Sequence, residues 1–253
     1  MNRERKENMK AQYKKIGTKI LDMLYPRICP FCQTIAGANR LICTQCEEHI
    51  PFVTEPYCMK CGKPMRQEEE RKEYCFDCMK TEHKFERNYS LLVYEKRTKK
   101  SLYRFKYQNK REFVTWYTKA LYERYYKEIQ WIRPDYIIPV PIHKKKKRQR
   151  GYNQAELLTR QLSINSNIPQ YSNGLIRVID TLPQKELNNK QRYYNLRNAF
   201  AIGNLPEEKG QIILLVDDIY TTGATLDACS SLLLERGYAK KVYTMTIAIS
   251  KGF

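Results

Sequence analysis

Eight of the nine cysteines form four Cys-x-x-Cys pairs, Cys29–Cys32, Cys43–Cys46, Cys58–Cys61 and Cys75–Cys78, separated by 10, 11 and 13 residues. A turn of that spacing aims two thiolates at one cation, and a second turn completes the tetrahedron that a structural Zn²⁺ site requires. Four pairs make two such sites. Sequential pairing (Cys29, Cys32, Cys43, Cys46, then Cys58, Cys61, Cys75, Cys78) is favoured, because interleaved pairing closes longer loops. Gly62 lets the third turn close. A thioredoxin-type redox role is disfavoured, since no pair opens a helix in a βαβ unit. His49 and His83 are further potential ligands, but eight thiolates already suffice. The ninth, Cys229, shares a helical face with Leu226 and Leu233 and is expected in the core.

A second chemical signature runs from Ile212 to Thr225. An apolar run ends in Asp217 and Asp218, a loop of Thr221, Thr222 and Gly223 follows, and Ala224 and Thr225 open a helical pattern. Open α/β sheets bind ligands at the carboxyl ends of strands, where loops meet helix N-termini. Loop N–H groups and the helix dipole favour a phosphate there, and Gly223 lets the backbone close round the anion. The threonine hydroxyls add hydrogen bonds. Two carboxylates repel that phosphate, so they suit hydroxyl donors, and a ribose diol fits.

The elements that must position these groups are readable. Tyr89–Tyr94 and Tyr136–Val140 are expected strands, Gln211–Ile219 a buried one, and Val242–Ile249 the last. Helices are expected at Tyr152–Leu162 and Ala224–Glu235, and along the Phe113, Val114, Tyr117, Leu121, Tyr125 stripe. Residues 28–82 contain little apolar material, so metal would supply much of their folding free energy. The expected organisation is a basic amphipathic helix at 1–27, a double zinc module at 28–82 and an α/β domain at 83–253. Ile16, Ile20 and Leu24 give the N-terminal helix its apolar face, and Pro26 ends it.

Across 253 residues the formal charge is +19, with 42% hydrophobic residues, which excludes wholesale disorder and favours a polyanionic partner. Tyr103, Phe105 and Tyr107 alternate with Arg104 and Lys106. Cationic grooves with aromatic platforms bind single strands, although an ordinary amphipathic segment has the same pattern. Lys144–Lys147, Arg148 and Arg150 form a basic loop, with Arg177 and Arg192 on later segments; each suits a pyrophosphate or a DNA backbone. Ligand contact is favoured for Arg148 and Arg150, and solvation for Lys144–Lys147. No apolar run approaches the roughly 18 residues of a membrane span, and no signal-peptide core precedes the first cysteine, so a cytoplasmic protein is expected.

The Asp217–Thr225 segment resembles the signature loop of type I phosphoribosyltransferases, which bind phosphoribosyl pyrophosphate (PRPP). Cys-Pro-Phe-Cys and Cys-Met-Lys-Cys-Gly resemble zinc-ribbon knuckles. Pro139-Val140-Pro141, Arg150-Gly151-Tyr152-Asn153-Gln154, and Arg177, Thr181, Gln184, Leu187, Arg192, Asn195 and Ala199-Phe200 at their spacings are similar to the ComF (ComFC-type) competence family, as is the opening Leu-Tyr-Pro-x-x-Cys. The resemblance implies a type I phosphoribosyltransferase-like, open, mostly parallel sheet behind a small double zinc ribbon. It implies that Asp217 and Asp218 contact the ribose hydroxyls, that Thr221, Thr222, Gly223, Ala224 and Thr225 cradle the 5′-phosphate, and that Mg²⁺ accompanies PRPP. It further implies a role in natural transformation, handling single-stranded DNA with a DNA-translocating ATPase as partner. The Pro-Val-Pro loop departs from active transferases in lacking the pyrophosphate-loop glycine, and Phe253 follows the last strand too closely for a C-terminal hood. A PRPP-binding competence factor, an active transferase and a zinc-ribbon adaptor all stay open.

Overall fold

The computed structural model describes residues 26–69, 72–179 and 198–251. The expected N-terminal helix with Ile16, Ile20 and Leu24 lies outside the described residues, as do Thr181, Gln184, Leu187, Arg192 and Asn195. The chain divides into two compact units, Met1–Ile50 and Pro51–Phe253.

In the first unit, Cys29 opens a tight turn: its N–H donates to the Thr34 carbonyl and its own carbonyl accepts from Gln33 N–H. Cys43 precedes a single helical turn, α1 (Thr44–Glu47), whose Cys46 and Glu47 N–H groups return to the Cys43 carbonyl. Both turns use backbone geometry to point two sulfurs the same way.

In the second unit the knuckle at Cys58 repeats this design. Cys58 N–H donates to the Lys63 carbonyl and Gly62 N–H to the Cys58 carbonyl, with Gly62 at φ +75°. A Cβ on Gly62 would lie 2.9 Å from the Asn88 carbonyl oxygen, so only glycine lets the knuckle approach β1. Cys75 precedes α2 (Phe76–Lys80).

The sheet of this unit has four parallel strands in the order β1 (Asn88–Val93), β6 (Ala239–Ile249), β5 (Gln211–Tyr220), β2 (Tyr136–Pro139). Ile213–Val216 in β5 and Val242–Ile249 in β6 are buried throughout, which is why these strands read as apolar runs rather than as alternations. Between β1 and β2 come α3 (Lys96–Tyr107), α4 (Phe113–Arg124) and α5 (Tyr126–Ile132). Between β2 and β5 come α6 (Lys144–Arg150), α7 (Gln154–Ser166) and a small antiparallel pair, β3 (Leu175–Arg177) with β4 (Phe200–Ile202). Helix α8 (Ala224–Glu235) joins β5 to β6 and buries Leu226, Cys229 and Leu233, as the sequence pattern predicts. The β3–β4 pair was not expected; three-residue strands are too short to show an alternation.

One expectation changes, and one stretch left open is settled. Lys144–Arg150 is a helix rather than a loop, capped by His143, whose Nδ1 accepts the Lys145 N–H at 3.4 Å, and closed by Gly151 at φ +80°. The basic stretch after β1 is also helical, with Thr98, Ser101, Leu102 and Phe105 on its buried face. Lys96, Arg97, Lys99 and Lys100, broken only by Thr98, conceal a helix whose buried face is narrow and half polar.

Candidate functional site

Strand β5 carries Asp217 and Asp218 to the carboxyl edge of the sheet. Asp218 N–H donates to Asp217 Oδ1 at 2.7 Å, and Lys106 Nζ, from the last turn of α3, donates to Asp218 Oδ1 at 2.8 Å. The Lys106 and Asp218 side chains are only 16% and 14% exposed, so this is a shielded ion pair rather than a solvated one. Burial, and then the neighbouring Asp218 carboxylate, push the Asp217 carboxyl up to about 7, against the pull of Lys106 and Arg177. Two adjacent acids held this way accept hydroxyl donors readily, because a diol replaces the water that burial removed.

Beyond Tyr220 the backbone turns through Thr221, Thr222 and Gly223 into α8, with Gly223 at φ +81°. Ser250 N–H donates to the Tyr220 carbonyl at 3.0 Å and its hydroxyl to the Thr221 carbonyl at 3.2 Å, tying the loop to the end of β6. Thr221 and Thr222 are exposed. Their hydroxyls and the first N–H groups of α8 are the chemistry of a phosphate cradle. Behind the loop, burial pushes the Tyr220 phenol far up, so it stays protonated. Its hydroxyl lies 3.3 Å from His83 Nε2, and His83 Nδ1 lies 2.6 Å from Asp227 Oδ2 in the first turn of α8.

The cysteines assemble as two sets, Cys29, Cys32, Cys43, Cys46 and Cys58, Cys61, Cys75, Cys78, each with all four sulfurs within 4.8 Å of one another. Cys32 Sγ lies 3.5 Å from Cys43 Sγ, and Cys61 Sγ 3.7 Å from Cys75 Sγ. Zn–S bonds of about 2.3 Å in a tetrahedron put sulfurs about 3.8 Å apart, so these contacts are edges of metal tetrahedra rather than thiol hydrogen bonds. Both sets fit structural Zn²⁺. His83 is committed to Asp227 and Tyr220, and neither it nor His49 joins a set.

The double zinc ribbon domain family matches residues 20–79 and the phosphoribosyl transferase domain family residues 149–251. Competence protein F of Haemophilus influenzae is 33% identical over 208 residues, 79% of this chain and 87% of that protein. The chain belongs to the ComF family. Competence protein ComFC of Bacillus subtilis is 27% identical over 212 residues, 81% of this chain and 83% of that protein. DNA utilization protein YhgH of Escherichia coli O157:H7 is 27% identical over 222 residues, 84% of this chain and 86% of that protein. The fold is the type I phosphoribosyltransferase-like parallel sheet preceded by a double zinc ribbon.

In this ComF-family chain the Arg150–Gln154 motif is largely architectural. The Tyr152 hydroxyl and Gln154 Nε2 both donate to the Phe105 carbonyl, the latter at 3.5 Å. Asn153 caps α7 through the Ala155 N–H at 3.1 Å and donates to the Val140 carbonyl at 3.0 Å. The motif thereby clamps α3 to β2. Arg150 donates to the Tyr107 hydroxyl at 2.9 Å and to Gln154 Oε1 at 3.2 Å. Arg148 is exposed on α6. Arg177, on β3, lies over the Phe200 ring at 5.4 Å and acts electrostatically on Asp217. Arg192 lies outside the described residues.

The aromatic and basic candidates divide. Tyr103 and Tyr107 are 57% and 51% exposed, with ring centroids 5.1 Å apart. Phe105 is fully buried against Tyr117 and Tyr152, so no face of its ring is open to a base. Tyr103, Arg104, Lys106 and Tyr107, with Tyr94, Lys99 and Lys100, line a cavity of about 540 Å³ that reaches Ile219, next to Asp218. Sequence reasoning treated Lys106 and Asp218 as parts of separate sites, and the structure joins them. It also missed the His83–Asp227 pair, for which a separation of 144 positions leaves no signal in one sequence.

Proposed function

We propose that this chain is a late competence protein acting in DNA uptake, binding PRPP with Mg²⁺ at the carboxyl edge of its sheet and handling single-stranded DNA beside it. The observation that carries this reading is the shielded Asp217–Asp218 pair followed by a threonine-rich loop at the start of α8, in a family whose named relatives include competence proteins. Asp217 and Asp218 take the ribose hydroxyls. Thr221, Thr222, Gly223, Ala224 and Thr225 take the 5′-phosphate, with Mg²⁺ on the pyrophosphate. The strand runs along the cationic cavity of α3, where Tyr103 offers a stacking face and Arg104 and Arg150 meet phosphates, while Lys106 stays paired with Asp218. Cysteines committed as thiolates to zinc suit a reducing compartment, which favours the cytoplasm, and the DNA-translocating ATPase of uptake is the expected partner.

A transferase reading is favoured by one observation, the intact acid pair and loop. In it, the C1–pyrophosphate bond breaks through an oxocarbenium-like state and an acceptor nitrogen or oxygen forms the new bond. Calorimetric titration with Mg²⁺ and PRPP, with pyrophosphate release followed on the same sample, separates the readings. Binding without release supports PRPP as an effector, and release that rises with an added acceptor makes the protein an enzyme. Asp218→Asn is expected to lower PRPP affinity by about 100-fold, two to three kcal/mol of charge-assisted hydrogen bonding, with zinc content unchanged. Undiminished affinity in that variant, or no binding by the native chain, overturns the site.

A further inference from the structure

His83 grips both ends of the threonine loop. Its side chain is 2% exposed. Nδ1 lies 2.6 Å from Asp227 Oδ2, and Nε2 lies 3.3 Å from the Tyr220 hydroxyl. A single tautomer satisfies every partner: Nδ1–H donates to the carboxylate and Nε2 accepts from the phenol. The second carboxylate oxygen of Asp227 accepts the Lys84 N–H at 2.9 Å, so the 83–84 backbone is held as well. The ring stacks on Phe85 at 4.8 Å, which fixes its plane. Tyr220 is the last residue of β5, and Asp227 lies in the first turn of α8, so the bonds of His83 bracket Thr221, Thr222 and Gly223.

The contact with the loop is direct. A Cβ added at Gly223 would come within 2.5 Å of the Tyr220 hydroxyl and 3.0 Å of His83 Cε1. Beside this junction lies a cavity of about 390 Å³, lined by Thr221, Thr222 and Ala224 of the loop, by His83, and by Lys63 and Lys84 with their acidic partners Asp77 and Glu82.

We propose that His83 is a positioning residue for the phosphate loop, and that through it the second zinc ribbon forms a wall of the site that takes a pentose phosphate. This rests on the reading of the loop as the PRPP site. His83 does not touch the ligand; it presets the loop, so that ordering three residues is not charged to binding. Its removal therefore weakens ligand affinity while leaving zinc and DNA binding in place.

The test uses the full zinc-loaded chain, titrated calorimetrically with Mg²⁺ and PRPP, with a fluorescent thymidine oligonucleotide read by anisotropy in parallel. His83→Leu keeps the bulk and removes both hydrogen bonds; its PRPP affinity is expected to fall by about tenfold or more. His83→Asn restores a donor toward Asp227 and is expected to return to within about threefold of the native chain. Both variants should hold two zinc ions and bind the oligonucleotide like the native chain. Should His83→Leu fail to load zinc, Asp227→Ala carries the same expectation from the other side of the bond. Native-like PRPP affinity in His83→Leu or Asp227→Ala overturns the inference, as does His83→Asn behaving no better than His83→Leu. If the native chain binds no PRPP, the reading of the loop falls and takes the inference with it. Binding that survives every variant sinks the inference alone.

Discussion

The two zinc ribbons use the same ligands and the same turn, yet they are built into the protein differently. The first lies in the unit Met1–Ile50, where Cys32 is exposed and the turn bonds are local, within a few residues of each cysteine. The second belongs to the unit Pro51–Phe253, and Cys58, Cys61 and Cys75 sit in the same apolar cluster as Ile213, Leu215 and Leu226. Its backbone is stitched to β1: Asn88 N–H donates to the Lys60 carbonyl and Asn88 Nδ2 to the Cys61 carbonyl at 2.8 Å. One ribbon is a module held by its metal, and the other is part of a hydrophobic core that happens to contain one. Identical sequence motifs thus lead to different consequences when the metal is lost.

The largest test of this difference is to remove one ligand from each. Cys61→Ser is expected to lower the melting midpoint of the larger unit by about 10 °C or more and to abolish PRPP binding, because it opens the core as well as the metal site. Cys32→Ser should cost one zinc ion while leaving that transition and PRPP binding unchanged. Scanning calorimetry with zinc analysis reads both, and equal losses would erase the distinction.

The comparison also predicts which unit answers to pH. Asp217, in the larger unit, has its carboxyl raised to about 7 by burial and by Asp218. A raised acid binds more protons folded than unfolded, so its contribution to stability is full below about pH 4 and is lost as pH rises to 7. Asp217→Asn removes the cost of burying that charge. The variant is expected to be more stable than the native chain at pH 8, by roughly one to a few kcal/mol, and the gap should close toward pH 4. A gap independent of pH would detach Asp217 from this account.

The smallest effect concerns the stitch itself. Asn88→Ala leaves the buried Cys61 carbonyl without its side-chain donor, at an expected cost of about 1–3 kcal/mol. Competition with a chelator should show the second zinc ion leaving faster than in the native chain, with the first unaltered. Faster loss from the first ribbon instead would reverse the assignment of which ribbon depends on β1.

Much of this was legible in the sequence. The cysteine spacing carries the two metal sites because Cys-x-x-Cys geometry is local. The run from Ile212 to Thr225 carries the strand, loop and helix because burial on both faces and a glycine before the helix leave a continuous pattern. What was not legible is long-range. Lys106 reads as one cation in a basic stretch, and only the packing of α3 brings it to Asp218. Phe105 looks like its aromatic neighbours, yet the turn of α3 points it inward and Tyr103 and Tyr107 outward. His83 reads as a stray histidine near cysteines, and its partners Tyr220 and Asp227 come from the end of β5 and the first turn of α8.

The strand order has a consequence for the newborn chain. Among the described strands β1 pairs with β6 alone, and the hydroxyl pair Ser90–Thr246 spans 156 positions. At about 5–20 residues per second, a ribosome takes roughly 10 to 30 s to deliver that partner after β1 has emerged. Through that interval the apolar edge of β1 would invite pairing with other chains. Its other edge is already taken: Val53 N–H donates to the Leu91 carbonyl and Val93 N–H to the Pro51 carbonyl, while the knuckle holds Asn88. All of these partners precede β1 on the chain. The early-made second ribbon therefore serves as a splint, guarding one side of the first strand until synthesis supplies the last.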